Sequence, residues 1–157
     1  MADRFSPIGV FDSGVGGIGT LAALRRELPQ ERFLFYGDTA NAPYGTKSRD
    51  EVMACINRIM EHLLAQDVKA VVIACNTETA VAAAELRARY ELPIIGIEPA
   101  LKPAHEQRRD GSILVLATPM TLKLEKFRAL YARYAEGAIP LPCPGLMELV
   151  EREADDE

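Results

Sequence analysis

Short apolar, β-branched runs alternate with helix-like stretches along the chain. This predicts an α/β fold: a parallel-sheet first domain with helices on both faces, followed by an incomplete second α/β domain. Three observations carry the prediction. Pro7-Ile8-Gly9-Val10-Phe11, Phe33-Leu34-Phe35-Tyr36 and Val71-Val72-Ile73-Ala74 are short enough for buried strands. Two of them lead, at once or through a glycine turn, into strong helix formers. All three end on polar residues: Asp12-Ser13, Gly37-Asp38-Thr39 and Cys75-Asn76-Thr77.

Taken in order, a strand over 7 to 11 is followed by the glycine turn Gly14-Val15-Gly16-Gly17. A helix over 17 to 28 follows, with Leu21, Leu24, Arg25 and Leu28 at helical spacing. A strand over 32 to 37 precedes a Pro/Gly loop over 38 to 47. Ser48 is the expected N-cap of a helix over 48 to 66, with Glu51 at the capping-box position and Val52, Ile56, Ile59, Met60, Leu63 and Leu64 as its apolar stripe. Cys55, inside that helix, reads as a small packing residue. A strand over 69 to 74, a helix over 77 to 90 and a strand over 93 to 97 complete the first domain, 1–97. Glu98-Pro99-Ala100 punctuates the crossing into the second, 98–157. There a helix over 100 to 108, a strand over 112 to 117, a helix over 122 to 134, a short apolar segment over 138 to 141 and a helical run over 146 to 153 are expected. Two strands and a terminal helix cannot cover a parallel sheet on both faces, so this domain is expected to be partial.

Composition narrows the classes. The 157 residues suit one ordinary domain, or one domain and part of another, and 48% are apolar, as in a globular protein. No apolar run approaches the roughly 20 residues that span a bilayer, and Met1-Ala2-Asp3-Arg4 leads into no signal-peptide core, so the cytoplasm is the expected compartment and no membrane partner is expected. Cys55, Cys75 and Cys143 are odd in number and lack CxxC spacing, which points to reduced thiols rather than a disulfide framework or a zinc site. His62 and His105 read as surface histidines, and no metal site is expected from them. Glu151 to Glu157 supply five acids and one base, so this stretch carries most of the formal net charge of −5 and reads as a solvated terminus. Without a basic stripe, nucleic acid is not an indicated partner.

In an open parallel sheet the ligand crevice lies beyond the carboxyl ends of the strands, so three polar strand ends predict one shared pocket. Cys75 stands at a strand-to-helix corner, where backbone N–H groups and the helix dipole favour a thiolate and an incoming carboxylate. Gly14-Val15-Gly16-Gly17-Ile18-Gly19 satisfies G-x-G-x-x-G, and Asp38 stands about twenty positions on, so a dinucleotide site is a rival reading. Against it, the charge of Asp12 would oppose a pyrophosphate and suits an ammonium group better. Gly45 in Pro43-Tyr44-Gly45 could bring backbone N–H groups to a carboxylate. Thr118 and Thr121 could face the same cleft or serve as helix N-caps.

Phe11-Asp12-Ser13-Gly14-Val15-Gly16-Gly17, the segment Tyr36 to Ser48 and Ala74-Cys75-Asn76-Thr77 occur in the order and separation of the glutamate racemases, and jointly resemble that family within the aspartate/glutamate racemase superfamily. The resemblance continues through Glu98-Pro99-Ala100, the segment Ala117 to Thr121 and the segment Pro142 to Glu151. It implies two α/β domains holding glutamate between them, no pyridoxal phosphate or other cofactor, and interconversion of L- and D-glutamate for peptidoglycan. It makes Cys75 the catalytic thiol of the first domain, and Asp12 and Ser13 a substrate-contacting pair whose acid assists proton transfer. Tyr44, Gly45, Asn76 and Thr77 match substrate-binding positions, Thr118 and Thr121 match second-domain threonines near the substrate, and Glu151 resembles a family acid near the active site. A homodimer is left open.

Members of that family carry a further Gly-Cys-Thr-His segment with the second acid/base cysteine, and it is absent from these residues. Cys143, between Pro142 and Pro144, does not replace it. A truncated, non-catalytic product is therefore the alternative expectation. Because Asp12 would oppose a thiolate, activation of Cys75 is expected to depend on arrival of the substrate ammonium.

Overall fold

A run in which Ile8, Gly9, Val10, Phe11 and Asp12 are all buried must be covered on both faces and flanked on both edges. In the computed structural model, which describes residues 3–154, that run is an inner strand, β1 (Ile8–Asp12). It pairs in parallel with β2 (Phe33–Gly37) and with β3 (Ala70–Ile73), which in turn pairs in parallel with β4 (Ile94–Gly96), giving the order β2-β1-β3-β4. The helices α1 (Gly17–Glu27), α2 (Arg49–Leu64) and α3 (Asn76–Arg89) connect the strands. The strand alternation sorts the faces. Ile8, Val10, Val72 and Ala74 pack with Leu21 and Leu24 of α1. On the other face Gly9 leaves room for α2, since a Cβ there would stand 3.1 Å from Leu63 Cδ1. Helices thus cover both faces of the sheet.

The capping box at the start of α2 forms as the sequence requires. Ser48 Oγ accepts from the Glu51 amide at 3.3 Å, and Glu51 Oε2 accepts from the Ser48 amide at 2.8 Å. Val52, Ile56, Ile59, Met60 and Leu63 of the expected stripe are buried, as is Cys55. The loop over 38 to 47 is tightened by two 3-10 turns, Thr39–Asn41 and Tyr44–Thr46, joined through a cis Ala42-Pro43 peptide. β1 runs one residue later than expected because Asp12 still pairs with Gly37, and its carbonyl accepts from the Asp38 amide.

Contacts divide the chain into two compact units, Met1–Ile97 and Glu98–Glu157. In the second, α4 (Leu101–Gln107) leads to β5 (Ile113–Ala117), then α5 (Pro119–Lys123), α6 (Glu125–Tyr134), β6 (Ala138–Pro142) and α7 (Leu146–Ala154). β5 and β6 form a two-stranded parallel sheet, so the apolar segment over 138 to 141 is a true strand. Its core is Leu101, Val115, Phe127 and Ala138, with Leu122, Leu130, Tyr131 and Tyr134 around it. The single helix expected over 122 to 134 is two. Thr118 accepts from the Thr121 amide and Pro119 takes the first turn, which starts a short helix early, and Leu124 is then extended (φ −70°, ψ 142°) before α6 begins. No glycine or proline marks that break. Among the described residues no helix is long and apolar enough to cross a membrane.

Candidate active site

The carboxyl ends of β1 and β3 are neighbours in the sheet, so the residues that end them meet. Asp12 is buried, and its Oδ2 accepts from the amides of Gly14 (3.2 Å) and Gly17 (3.0 Å). The acid therefore neutralises the start of α1 from below. Gly17 is demanded by this packing, since a Cβ on it would lie 2.7 Å from Asp12 Cβ and 3.1 Å from Ala74 Cβ. The same bonds set aside the dinucleotide alternative. Amides of the glycine turn that would cradle a pyrophosphate already hold a carboxylate. Asp38, the expected ribose partner, is likewise engaged: it accepts from the Tyr44 hydroxyl at 2.5 Å and from Asn41 Nδ2 at 2.8 Å.

Cys75 is the N-cap of α3, in extended conformation (φ −127°, ψ 133°), with Ser13 Oγ 3.8 Å from its sulfur. The helix start was expected to favour the thiolate. Instead the Cys75 thiol is pushed up to about 12, by burial first, then by the charge of Glu78 and then by that of Asp12. The Glu78 amide and Ser13 pull the other way and are outweighed. The N-terminal help is thus present but loses to desolvation and two carboxyl neighbours. At neutral pH the resting thiol holds its proton.

Glu78 is the residue that sequence reading missed. It is fully buried in the first turn of α3, and neither carboxyl oxygen has a hydrogen-bond partner among the described residues. Burial, then the charges of Asp12 and Asp38, hold its carboxyl well above the usual range. An acid in a first helical turn ordinarily reads as a solvated dipole partner. The available signal was spacing: residues 78, 81, 82 and 86 share one helical face, and Val81, Ala82 and Leu86 are all buried. One ligating atom each from Asp12, Cys75 and Glu78 lies within 4.8 Å of the others.

Tyr44 is buried, and burial together with its bond to Asp38 raises its hydroxyl far above the ordinary phenol range. Its hydroxyl is thus spent on Asp38, and what the loop can offer a ligand here is the backbone of half-buried Gly45. Beside Cys75, Asn76 is exposed and Thr77 buried. In the second unit Thr118 is the N-cap of α5, and its hydroxyl lies 3.0 Å from that of Thr121. The side chain of Glu151 lies outside the described residues, as do the side chains of the rest of the acidic stretch. His62 is exposed and packs against Tyr36, whereas His105, expected at the surface, is half-buried with Nδ1 sealed in and its ring 5.6 Å from that of Tyr134.

A half-buried thiol and a buried carboxyl group at adjacent parallel strand ends, each followed by a helix start, place the site at the carboxyl edge of the sheet of an α/β domain. Residues 19–157 match the model of the Asp/Glu/Hydantoin racemase family, and the chain belongs to that family. Curated relatives include the glutamate racemase of Clostridium acetobutylicum, 52% identical over 154 residues, covering 96% of this chain and 60% of the relative. A glutamate racemase of Clostridium botulinum is 53% identical, with 97% and 60% coverage. Among solved structures, Escherichia coli glutamate racemase in complex with L-glutamate and the activator UDP-MurNAc-Ala superposes with a TM-score of 0.87 at 31% identity, over 96% of this chain and 58% of that one. A Bacillus anthracis glutamate racemase gives 0.84 at 34%, over 98% and 59%. The chain thus spans about 60% of the length of the curated relatives it matches.

Proposed function

We propose that this chain carries one half of a glutamate racemase site, in which Cys75 exchanges the α-proton of glutamate on one face of the α-carbon without a cofactor. The observation that carries the reading is the meeting of Cys75, Ser13 and Asp12 at the carboxyl ends of adjacent strands. The charges follow from the geometry. Substrate ammonium arriving beside Asp12 offsets one of the charges that hold the thiol proton, which brings the thiol back toward the range where it can act as a base. Ser13 steadies the sulfur, and the amides of Gly45, Asn76 and Thr77 bind the carboxylates. Charge that develops as the α-carbon loses its proton then forms against fixed dipoles rather than water. Inversion needs a second proton donor on the opposite face. Cys143, whose thiol donates to the Leu141 carbonyl at 3.4 Å between two prolines, is not that donor. Thr118 and Thr121 belong to the substrate site in this reading, and glutamate is the partner. A cytoplasmic location, supply of D-glutamate for peptidoglycan and a homodimer go with it.

A second reading, a chain that does not turn glutamate over, draws support from the open apolar face of the β5–β6 sheet, where Leu114, Leu116, Ile139 and Leu141 are exposed. Loss of the α-proton NMR signal in deuterated water, followed with L- and D-glutamate separately, decides between the two. Exchange from either enantiomer, abolished by Cys75→Ser, is the expected result, and exchange from one enantiomer alone would assign Cys75 its face. Absence of exchange from both would overturn the proposal and select the second reading.

A further inference from the structure

We propose that Asp12, Cys75 and Glu78 together form a binding site for a borderline-soft divalent cation of the zinc type. Three ligating atoms, two carboxyl oxygens and a sulfur, already lie within 4.8 Å of one another. The independent observation is Glu78. It is fully buried, aims a carboxyl group into this cluster, and neither oxygen has a hydrogen-bond donor among the described residues. An orphaned buried carboxyl is costly, and folds retain one where some group outside the chain completes it. A cation does so here, displacing the proton of the Cys75 thiol as it binds.

The donor set selects the ion. Calcium and magnesium take six or more oxygens, and a sulfur with two carboxylates is a poor cage for either. Thiolate with carboxylate suits zinc and its heavier analogue cadmium, which bind three protein ligands and leave a fourth position open. Asp12 is pre-oriented by the Gly14 and Gly17 amides, the kind of supporting bond that fixes a ligand's direction. Ser13 stands beside the sulfur. Metal occupancy and proton transfer by Cys75 exclude one another, so the cation would silence the thiol. That consequence rests on the racemase reading, whereas the binding itself does not.

Titration of the purified chain with cadmium alone, followed by the sulfur-to-cadmium charge-transfer absorption, tests the site, with calorimetry for zinc alone. One ion per chain is expected. Cys75→Ser should abolish the band although Cys55 and Cys143 remain. Glu78→Gln should keep the band but weaken binding by roughly tenfold or more, since even outer-shell partners of metal ligands are worth that much. Asp12→Asn provides a second ligand variant should Glu78→Gln fail to fold. A band that survives Cys75→Ser, or an affinity indifferent to both carboxyl variants, would overturn the site. Cadmium binding by a chain whose metal-free form gives no α-proton exchange would leave the cation site standing and refute only the racemase reading.

Discussion

The two units use the same alternation of strand and helix and bury it to opposite degrees. In the first, every residue of β1 is buried, and so are three of the four in β3, because α1 covers one face and α2 packs on the other. In the second, Val115 is the one buried residue of β5. The neighbours that point the other way, Leu114 at 61% and Leu116 at 57%, stay exposed, as do Ile139 and Leu141 of β6. An apolar run therefore says that a strand wants two covered faces, and leaves open whether both are covered. The first unit is the place where side chains can be held tightly enough for chemistry.

The largest effect that would sharpen this contrast is a cavity in the first unit. Ile59 of α2 is 1% exposed within the packed stripe. Ile59→Ala should cost about 3 kcal/mol, the usual range for truncating a buried aliphatic residue, measured by denaturant unfolding. Amide exchange should accelerate through β1 and β3 and remain unchanged in β5 and β6. Equal acceleration in both sheets would show that the units unfold as one and would break the comparison.

Charge separates the units next. The ion pairs of the second, Lys102–Glu106, Arg108–Glu136 and Lys126–Glu98, each include at least one well-exposed partner and contribute little. The first unit buries Glu78 and half-buries Cys75, and both hold their protons more tightly folded than unfolded. A carboxyl shifted upward lends its stability below the ordinary range near ~4.3 and loses it as pH climbs through the raised folded value. The thiol does the same between 9.0 and about 12. The melting temperature should therefore fall as pH rises from 5 toward 9. Glu78→Gln, which carries no proton to lose, should flatten that fall, while exchange in β5 and β6 tracks only its intrinsic pH dependence. A wild-type profile no steeper than that of Glu78→Gln would contradict the buried-acid account.

What could be read from sequence follows the same division by range of interaction. The Ser48–Glu51 box and the stripe of α2 were legible because both are settled within a few residues. The polar strand ends were legible because a parallel sheet places them on one side. Three features were not. The burial of Glu78 depends on what packs over α3, and its helical face was a weak hint. The bonds from Asp12 to the Gly14 and Gly17 amides depend on a turn closing back beneath the strand end, so an acid expected to wait for an ammonium also caps a helix. The break at Leu124 has no local signal. The burial of Glu78 is the tertiary fact among them, which local pattern does not encode.

The smallest energetic effect is also the most direct probe of the open face. Leu114 and Leu116 alternate with inward Ile113, Val115 and Ala117 on β5, so replacing the outward pair removes no core contact. The double variant Leu114→Ser, Leu116→Ser should shift unfolding by no more than about 0.5 kcal/mol per site, as exposed positions do. Its other property should change clearly: binding of a hydrophobic dye and concentration-dependent association should both fall, because a contiguous apolar patch drives each. If the variant instead unfolds the second unit, the outward leucines are buried in solution. The contrast between the units would then be one of partner coverage rather than of construction.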